Sequence, residues 1–230
     1  MSRLMHAALG SALLAFAAGT ASASGTELLK NECSGCHDLT GPAPATLQEL
    51  RERKGPDLFY AGNKYRQEWL ENWLQEPTRI RPAGMFYGKL VVDGEDGIDA
   101  IDESGLIDHT ALGEADAKAA AEALMTLRAG DDLVNPGEYK EGSIGLSMGE
   151  LMFDKFRGCL ACHQIEPEYG GLSGPEVYTA AKRLQADWMI SYMRNPQAWD
   201  PRSFMPNRHL TDADLQKLVH YMRALAEEME

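Results

Sequence analysis

The chain has 230 residues, with 35 Asp and Glu against 22 Lys and Arg and a formal charge of −13. That length permits one or two domains. A surface this acidic repels nucleic acid and anionic lipid, and it favours protein partners with a basic docking patch.

The N-terminus reads as an export signal over 1–23. Arg3 precedes an apolar run over 7–18, and Ala21-Ser22-Ala23 is an A-x-A cleavage site. The run is too short for a stable membrane span, and no later stretch approaches the ~20 apolar residues that one needs. Removing the signal takes away Arg3 and moves the side-chain charge from −13 to −14. The expectation is a periplasmic protein with no transmembrane span in the mature chain.

From Thr26 a helix is expected to run through Leu28 and Leu29 into Cys33-Ser34-Gly35-Cys36-His37. Gly55-Pro56-Asp57-Leu58 follows. The segment from Trp69 to Leu74 has apolar residues at helical spacing and stops before Pro77. Met85 lies in irregular chain downstream of Pro82. The stretch 86–109 is rich in Asp, Glu and Gly, and Asp93-Gly94-Glu95-Asp96-Gly97 does not keep the ligand spacing of a calcium loop, so a solvated acidic loop is expected. A helix is predicted over about 113–128. The Gly- and Pro-containing stretch 129–144 reads as a linker.

The second half repeats this order. Ser147-Met148-Gly149-Glu150 has the form of a capping box, and Leu151, Met152, Phe153 and Phe156 lead to Cys159-Leu160-Ala161-Cys162-His163. Gly174-Pro175-Glu176-Val177, a helix from Trp188 to Met193, Pro196, Met205 and a last helix over 211–227 follow. Thr211 is a good N-cap, and Leu215, Leu218, Met222 and Leu225 form one stripe. No segment shows persistent strand alternation.

Subtraction exposes a duplication. The cysteines repeat at an offset of 126, the Gly-Pro and tryptophan segments at 119, Met85 and Met205 at 120, and Leu112 to Asp116 with Leu210 to Asp214 at 98. The fall from 120 to 98 places 22 extra residues in the first copy, within 86–109.

C-x-x-C-H is the attachment pattern of c-type haem. Two sulfurs bond the porphyrin vinyl groups, and the adjacent histidine is the proximal iron ligand. The two motifs use all four cysteines. A four-thiolate zinc site would leave both histidines incidental, and a thioredoxin-like dithiol should lie beside a βαβ pattern that is absent here. The expectation is two covalently attached haem c groups, with Cys33, Cys36, Cys159 and Cys162 as attachment points and His37 and His163 on the iron. A second axial ligand that is a thioether raises the potential and closes the iron. Met85 and Met205 stand in equivalent places for that role. His109, His209 and His220 are the rival ligands, and His109 in place of Met85 would lower the first potential.

The C-x-x-C-H motif, Gly-Pro, the tryptophan helix ending at proline, Ser203-Phe204-Met205-Pro206-Asn207 and Leu210-Thr211-Asp212-Ala213-Asp214-Leu215 together resemble a class I cytochrome c domain. The tandem arrangement is similar to the dihaem cytochrome c4 group. The resemblance implies an all-α fold of two small helical bundles, over 24–128 and 145–230, each around a covalently bound haem with His/Met ligation. It implies electron transfer between respiratory redox proteins rather than catalysis. Such a protein would be a free shuttle or the electron-accepting subunit of a dehydrogenase, compatible with peripheral association with a membrane or dehydrogenase complex. The competing class is a dihaem enzyme, a peroxidase or a sulfur-compound oxidase, which needs an open iron or a cysteine ligand that this chain does not spare.

Overall fold

Five helix starts in this chain are set by small polar residues or glycines, Ser24, Thr46, Gly113, Gly145 and Thr211, that hold an extended backbone ahead of the first turn. The computed structural model describes residues 24–97 and 99–229; the export signal expected over 1–23 lies outside them. Helix α1 (Gly25–Leu28) is capped two residues earlier than expected, at Ser24. Ser24 and Glu27 form a reciprocal capping box, and the helix passes directly into a wider π turn, Leu29–Cys33. Next come α2 (Leu47–Glu52), α3 (Ala61–Lys64), α4 (Gln67–Trp73) and α5 (Glu114–Met125). The second half has α6 (Leu146–Leu151), again passing into a π turn (Met152–Phe156), then α7 (Ala180–Arg183), α8 (Ala186–Arg194), α9 (Pro196–Trp199) and α10 (Asp212–Glu228).

Two expectations at helix ends are corrected. The capping box at Ser147 does not form, because extended Gly145 is the N-cap and Ser147 lies inside the first turn of α6. The helix expected to reach Arg128 stops at Met125 with Thr126 as C-cap. Thr211 does cap α10, exchanging bonds with Asp214.

The two halves use corresponding packing. Helix α5 lies on α1, α3 and α4, and α10 lies on α6, α7 and α8. The crossings are close because a glycine sits at each. A Cβ at Gly25 would stand 2.0 Å from the Ala119 carbonyl oxygen, and one at Gly149 would stand 2.2 Å from Tyr221 Cδ2. Ala117, Ala120, Ala121 and Leu124 of α5, and Leu215, Leu218, Val219, Tyr221 and Met222 of α10, are buried in one cluster that runs through both halves.

Strands are few and short. In the acidic insertion β1 (Val91–Asp93) pairs antiparallel with β2 (Asp99–Ile101), so this stretch is a hairpin rather than only a solvated loop. In the second half β3 (Gln164–Glu166) pairs with β4 (Tyr169–Gly170). Pairs of two or three residues carry too little alternation to stand out in a sequence.

The halves meet through reciprocal bonds between equivalent positions. The Arg66 N–H donates to the Arg183 carbonyl at 3.0 Å, and the Gln185 N–H donates to the Lys64 carbonyl at 2.9 Å; 64 and 66 correspond to 183 and 185 at the 119 offset. Such isologous pairing is what a two-fold relation produces. The stretch 129–144 is strapped down rather than free. The Gly137 and Tyr139 N–H groups donate to Asp187 at 2.7 Å, the Lys140 N–H donates to Gln216, and Ser191 bonds the Leu133 carbonyl. Among the described residues no helix is long and apolar enough to cross a membrane.

Candidate functional site

The first π turn ends on Cys33 and the second ends three residues before Cys159, and each of these cysteines opens a tight turn. The N–H groups of Cys36 and His37 both donate to the Cys33 carbonyl, at 3.1 and 3.0 Å, and those of Cys162 and His163 both donate to Cys159, at 3.1 Å. Cys33 and Cys159 face the core, while Cys36 and Cys162 are exposed. Burial raises the Cys33 thiol, with Glu32 and Cys36 adding to it, and burial pushes Cys159 up to about 11. A reactive redox dithiol needs the opposite shift. The four thiols do not converge, since no three of His, Cys, Asp and Glu gather at metal-binding distance among the described residues.

The histidines that follow are locked the same way. His37 Nδ1–H donates to the Pro56 carbonyl and His163 Nδ1–H to the Pro175 carbonyl, each at 2.7 Å. A carbonyl can only accept, so each Nδ1 carries the proton and each Nε2 keeps a free lone pair, the tautomer of a metal-ligating histidine with its supporting bond. The glycines ahead of these prolines explain the repeated Gly-Pro. A Cβ at Gly55 would fall 2.5 Å from His37 Cε1, and one at Gly174 would fall 2.6 Å from His163 Cε1. Burial lowers both histidines, against the proline carbonyl that pulls each up. Both are therefore held neutral, as ligands must be.

The opposite walls differ. Met205 is half-buried and packs on the core cluster. Its loop is fixed by Gln197, whose side chain donates to the Met205 and Ser203 carbonyls at 2.8 and 3.2 Å, and by the Tyr192–Ser203 hydroxyl pair at 3.0 Å. Met85 follows Gly84, which has φ +70°, and lies outside that cluster. Its neighbour Phe86 meets Phe204 edge-on, with ring centres 5.7 Å apart. His109 lies 4.7 Å from Trp73 and 6.1 Å from His37, ring centre to ring centre. His220 bonds the Lys140 carbonyl in the strap, and His209 is exposed with φ +50°.

Where the halves join, cations gather: Arg183 is paired with the buried Glu176 at 3.3 Å, whereas Lys64 and Arg81 have no ion pair among the described residues. Lys64 Nζ lies over Tyr65 and Trp188, at 4.8 and 5.1 Å from the ring centres. Lys64 and Arg81 are both lowered, first by burial and also by neighbouring cations, Arg183 among them. Arg81 and Arg183 are also felt at His163. The Trp188 indole N–H is buried and has no acceptor. An orphaned buried donor beside desolvated cations is costly unless an anion completes it. The two carboxylates of a haem have the chemistry to do so, and the residues present fit that group.

Against known proteins, residues 147–226 match the family model for cytochrome c. That stretch, which contains Cys159, Cys162, His163 and Met205, is thus a cytochrome c domain, a class that holds covalently bound haem c and generally carries electrons. No curated protein and no solved structure matches the chain.

The sequence singled out both C-x-x-C-H motifs, which form matching turns, and Met205, which packs on the core cluster. It did not show that Lys64, Arg81 and Trp188 gather where the halves join, because cations outside any motif and a tryptophan on a helix look like ordinary surface and core. A trace of their meeting was available, since Lys64 and Arg183 occupy equivalent positions at the 119 offset.

Proposed function

We propose that this protein is a dihaem c-type cytochrome that transfers electrons between redox proteins of the periplasm. Cys33 and Cys36 hold one haem and Cys159 and Cys162 the other, with His37 and His163 as proximal ligands. Met205 is the distal ligand of the second haem, while Met85 and His109 compete for the first. The observation that carries the reading is the duplicated lock, in which each C-x-x-C-H histidine bonds a Gly-Pro carbonyl at the same 2.7 Å, one copy lying in a stretch that matches the cytochrome c family.

Bound haem supplies a one-electron Fe(III)/Fe(II) couple. The protein's part is to hold that couple with little rearrangement. The Pro56 and Pro175 carbonyls fix the imidazole orientation and tautomer. Gln197 and Tyr192 hold the Met205 loop still. Lys64, Arg81 and the Trp188 N–H offer charge and a donor to the haem carboxylates where the halves join. The net charge of −13 steers a partner with a basic face and makes association fall with ionic strength. The duplicated chemistry supports a carrier that passes electrons through two adjacent centres, as a free shuttle or as a dehydrogenase subunit.

The test is a pyridine haemochrome count on purified holoprotein beside its intact mass. Two haems per chain are expected, with one lost in Cys159→Ala/Cys162→Ala and one in Cys33→Ala/Cys36→Ala. A single haem in the native protein, insensitive to the Cys33/Cys36 change, would overturn the dihaem reading.

A further inference from the structure

We propose that His109, from the acidic insertion, is the sixth ligand of the first haem, so that the protein carries one bis-histidyl centre, His37/His109, and one His163/Met205 centre. This rests on the dihaem reading above.

The first observation is a distance. Two metal–imidazole bonds of about 2.0–2.1 Å placed in line, with about 1.1 Å from each coordinating nitrogen to its ring centre, separate the ring centres by about 6.3 Å. The ring centres of His37 and His109 are 6.1 Å apart, with their planes at 50°.

The second is protonation chemistry. His37 Nδ1 is taken by the Pro56 carbonyl at 2.7 Å, and His109 Nδ1 lies 2.9 Å from the Thr110 carbonyl. Each ring thus commits Nδ1–H to a backbone carbonyl and keeps Nε2 for coordination. This is the supported form that metal-bound histidines adopt.

The third is position in the fold. Met205 lies six residues before Thr211, the N-cap of α10, and His109 lies four residues before Gly113, the N-cap of α5. Met85 lies 28 residues before Gly113. Counted back from the last helix of each half, His109 and not Met85 stands where Met205 stands. The chain is held there by the Leu112 N–H, which donates to the Leu74 carbonyl at 2.8 Å, and by Trp73, whose indole N–H bonds the Thr78 carbonyl at 3.0 Å. Trp73 and Tyr192 are equivalent at the 119 offset. Tyr192 pins the Met205 loop in the second half, and Trp73 backs His109 in the first. The insertion therefore exchanges the ligand: it leads the chain away after Met85 and returns it with a histidine.

The experiment is near-infrared absorption of the oxidised holoprotein, where methionine bound to ferric haem gives its own charge-transfer band, recorded with the haem count. The expected result is two haems with band intensity worth one iron. That intensity is retained in Met85→Leu and abolished in Met205→Leu. His109→Met is expected to raise it to two irons, and His109→Ala to turn one haem high-spin by electron paramagnetic resonance. Intensity worth two irons in the native protein, or loss of half of it in Met85→Leu, overturns the His109 assignment while leaving the dihaem reading standing. One haem per chain overturns the dihaem reading itself, and with it this proposal.

Discussion

At Gly55 and Gly174 the absence of a side chain is what lets an imidazole lie against the backbone. The added methyl of Gly174→Ala would meet His163 Cε1 at 2.6 Å and the Cys162 carbonyl at 2.9 Å, which leaves the ring no place to retreat. The expected outcome is a protein whose second haem is lost or high-spin while the first is unchanged, read from the haem count and the ferric spectrum. Gly137→Ala, at a turn where nothing lies within 4 Å of the added atom, is expected to leave haem content as it is, although its φ of +73° makes it strained by about 1 kcal/mol. The contrast separates contact with the histidine from a general backbone effect. The Trp188 donor is a second residue-scale feature. Trp188→Phe keeps most of the packing and removes the unpaired N–H. If that donor meets the haem carboxylates as proposed, the change is expected to shift the midpoint potential of the second haem in the holoprotein.

For helix α10 the stripe outweighs the cap. Thr211→Ala removes one capping bond and should cost about 1 kcal/mol, whereas Leu218→Ala at a fully buried site should cost about 2–5 kcal/mol. Thermal unfolding of the two variants checks the order. The cap also carries a pH dependence. Asp214 is pushed up by burial, but bonds from Arg157 and from the Thr211 hydroxyl and backbone outweigh this and hold it below the ordinary carboxyl value. Its folded pKa therefore lies under the unfolded value of about 3.9, so its contribution is fully present above that value and is lost as pH falls through the folded pKa. Asp214→Asn should be less stable at neutral pH and should lose stability less steeply than the native protein on acidification below about pH 4.

Across the whole molecule one tie between the halves is a buried ionic fork. Arg53 forks between Asp57 and Asp200 at 2.6 Å each, and the three side chains are 15%, 3% and 10% exposed. Burial pushes Asp57 up while Arg53 pulls it down. Removing the cation strands two buried carboxylates, so Arg53→Met is expected to cost about 3–5 kcal/mol and to turn a single urea transition into two. On the proposed dihaem reading, two irons with different ligands in one acidic body should also differ in potential. With His109 as its ligand the first centre is expected to be the lower, because it would lack a thioether and because the acidic insertion would favour its ferric form. A spectroelectrochemical titration resolving the two haems checks this. Equal potentials, or a higher first potential, would count against it.

What the sequence determined by itself was local or periodic. C-x-x-C-H, Gly-Pro, the α4 and α8 segments and the stripe of α10 are written within a few residues or in a 3.6-residue period, and their repetition gave the duplication by subtraction. Helix starts at Gly25 and Leu146 were less legible, because their caps, Ser24 and Gly145, compete with nearby Thr26 and Ser147 that look equally able to cap. The tertiary structure decided which residues face one another across distance. It brought Lys64 to Trp188, Arg53 to Asp200 and His109 to within 6.1 Å of His37. The route of the 22-residue insertion made the last of these. A chain reversal through a short hairpin carries no period, and equivalence by offset pairs Met85 with Met205, whereas the path of the backbone brings His109 beside Trp73 and His37.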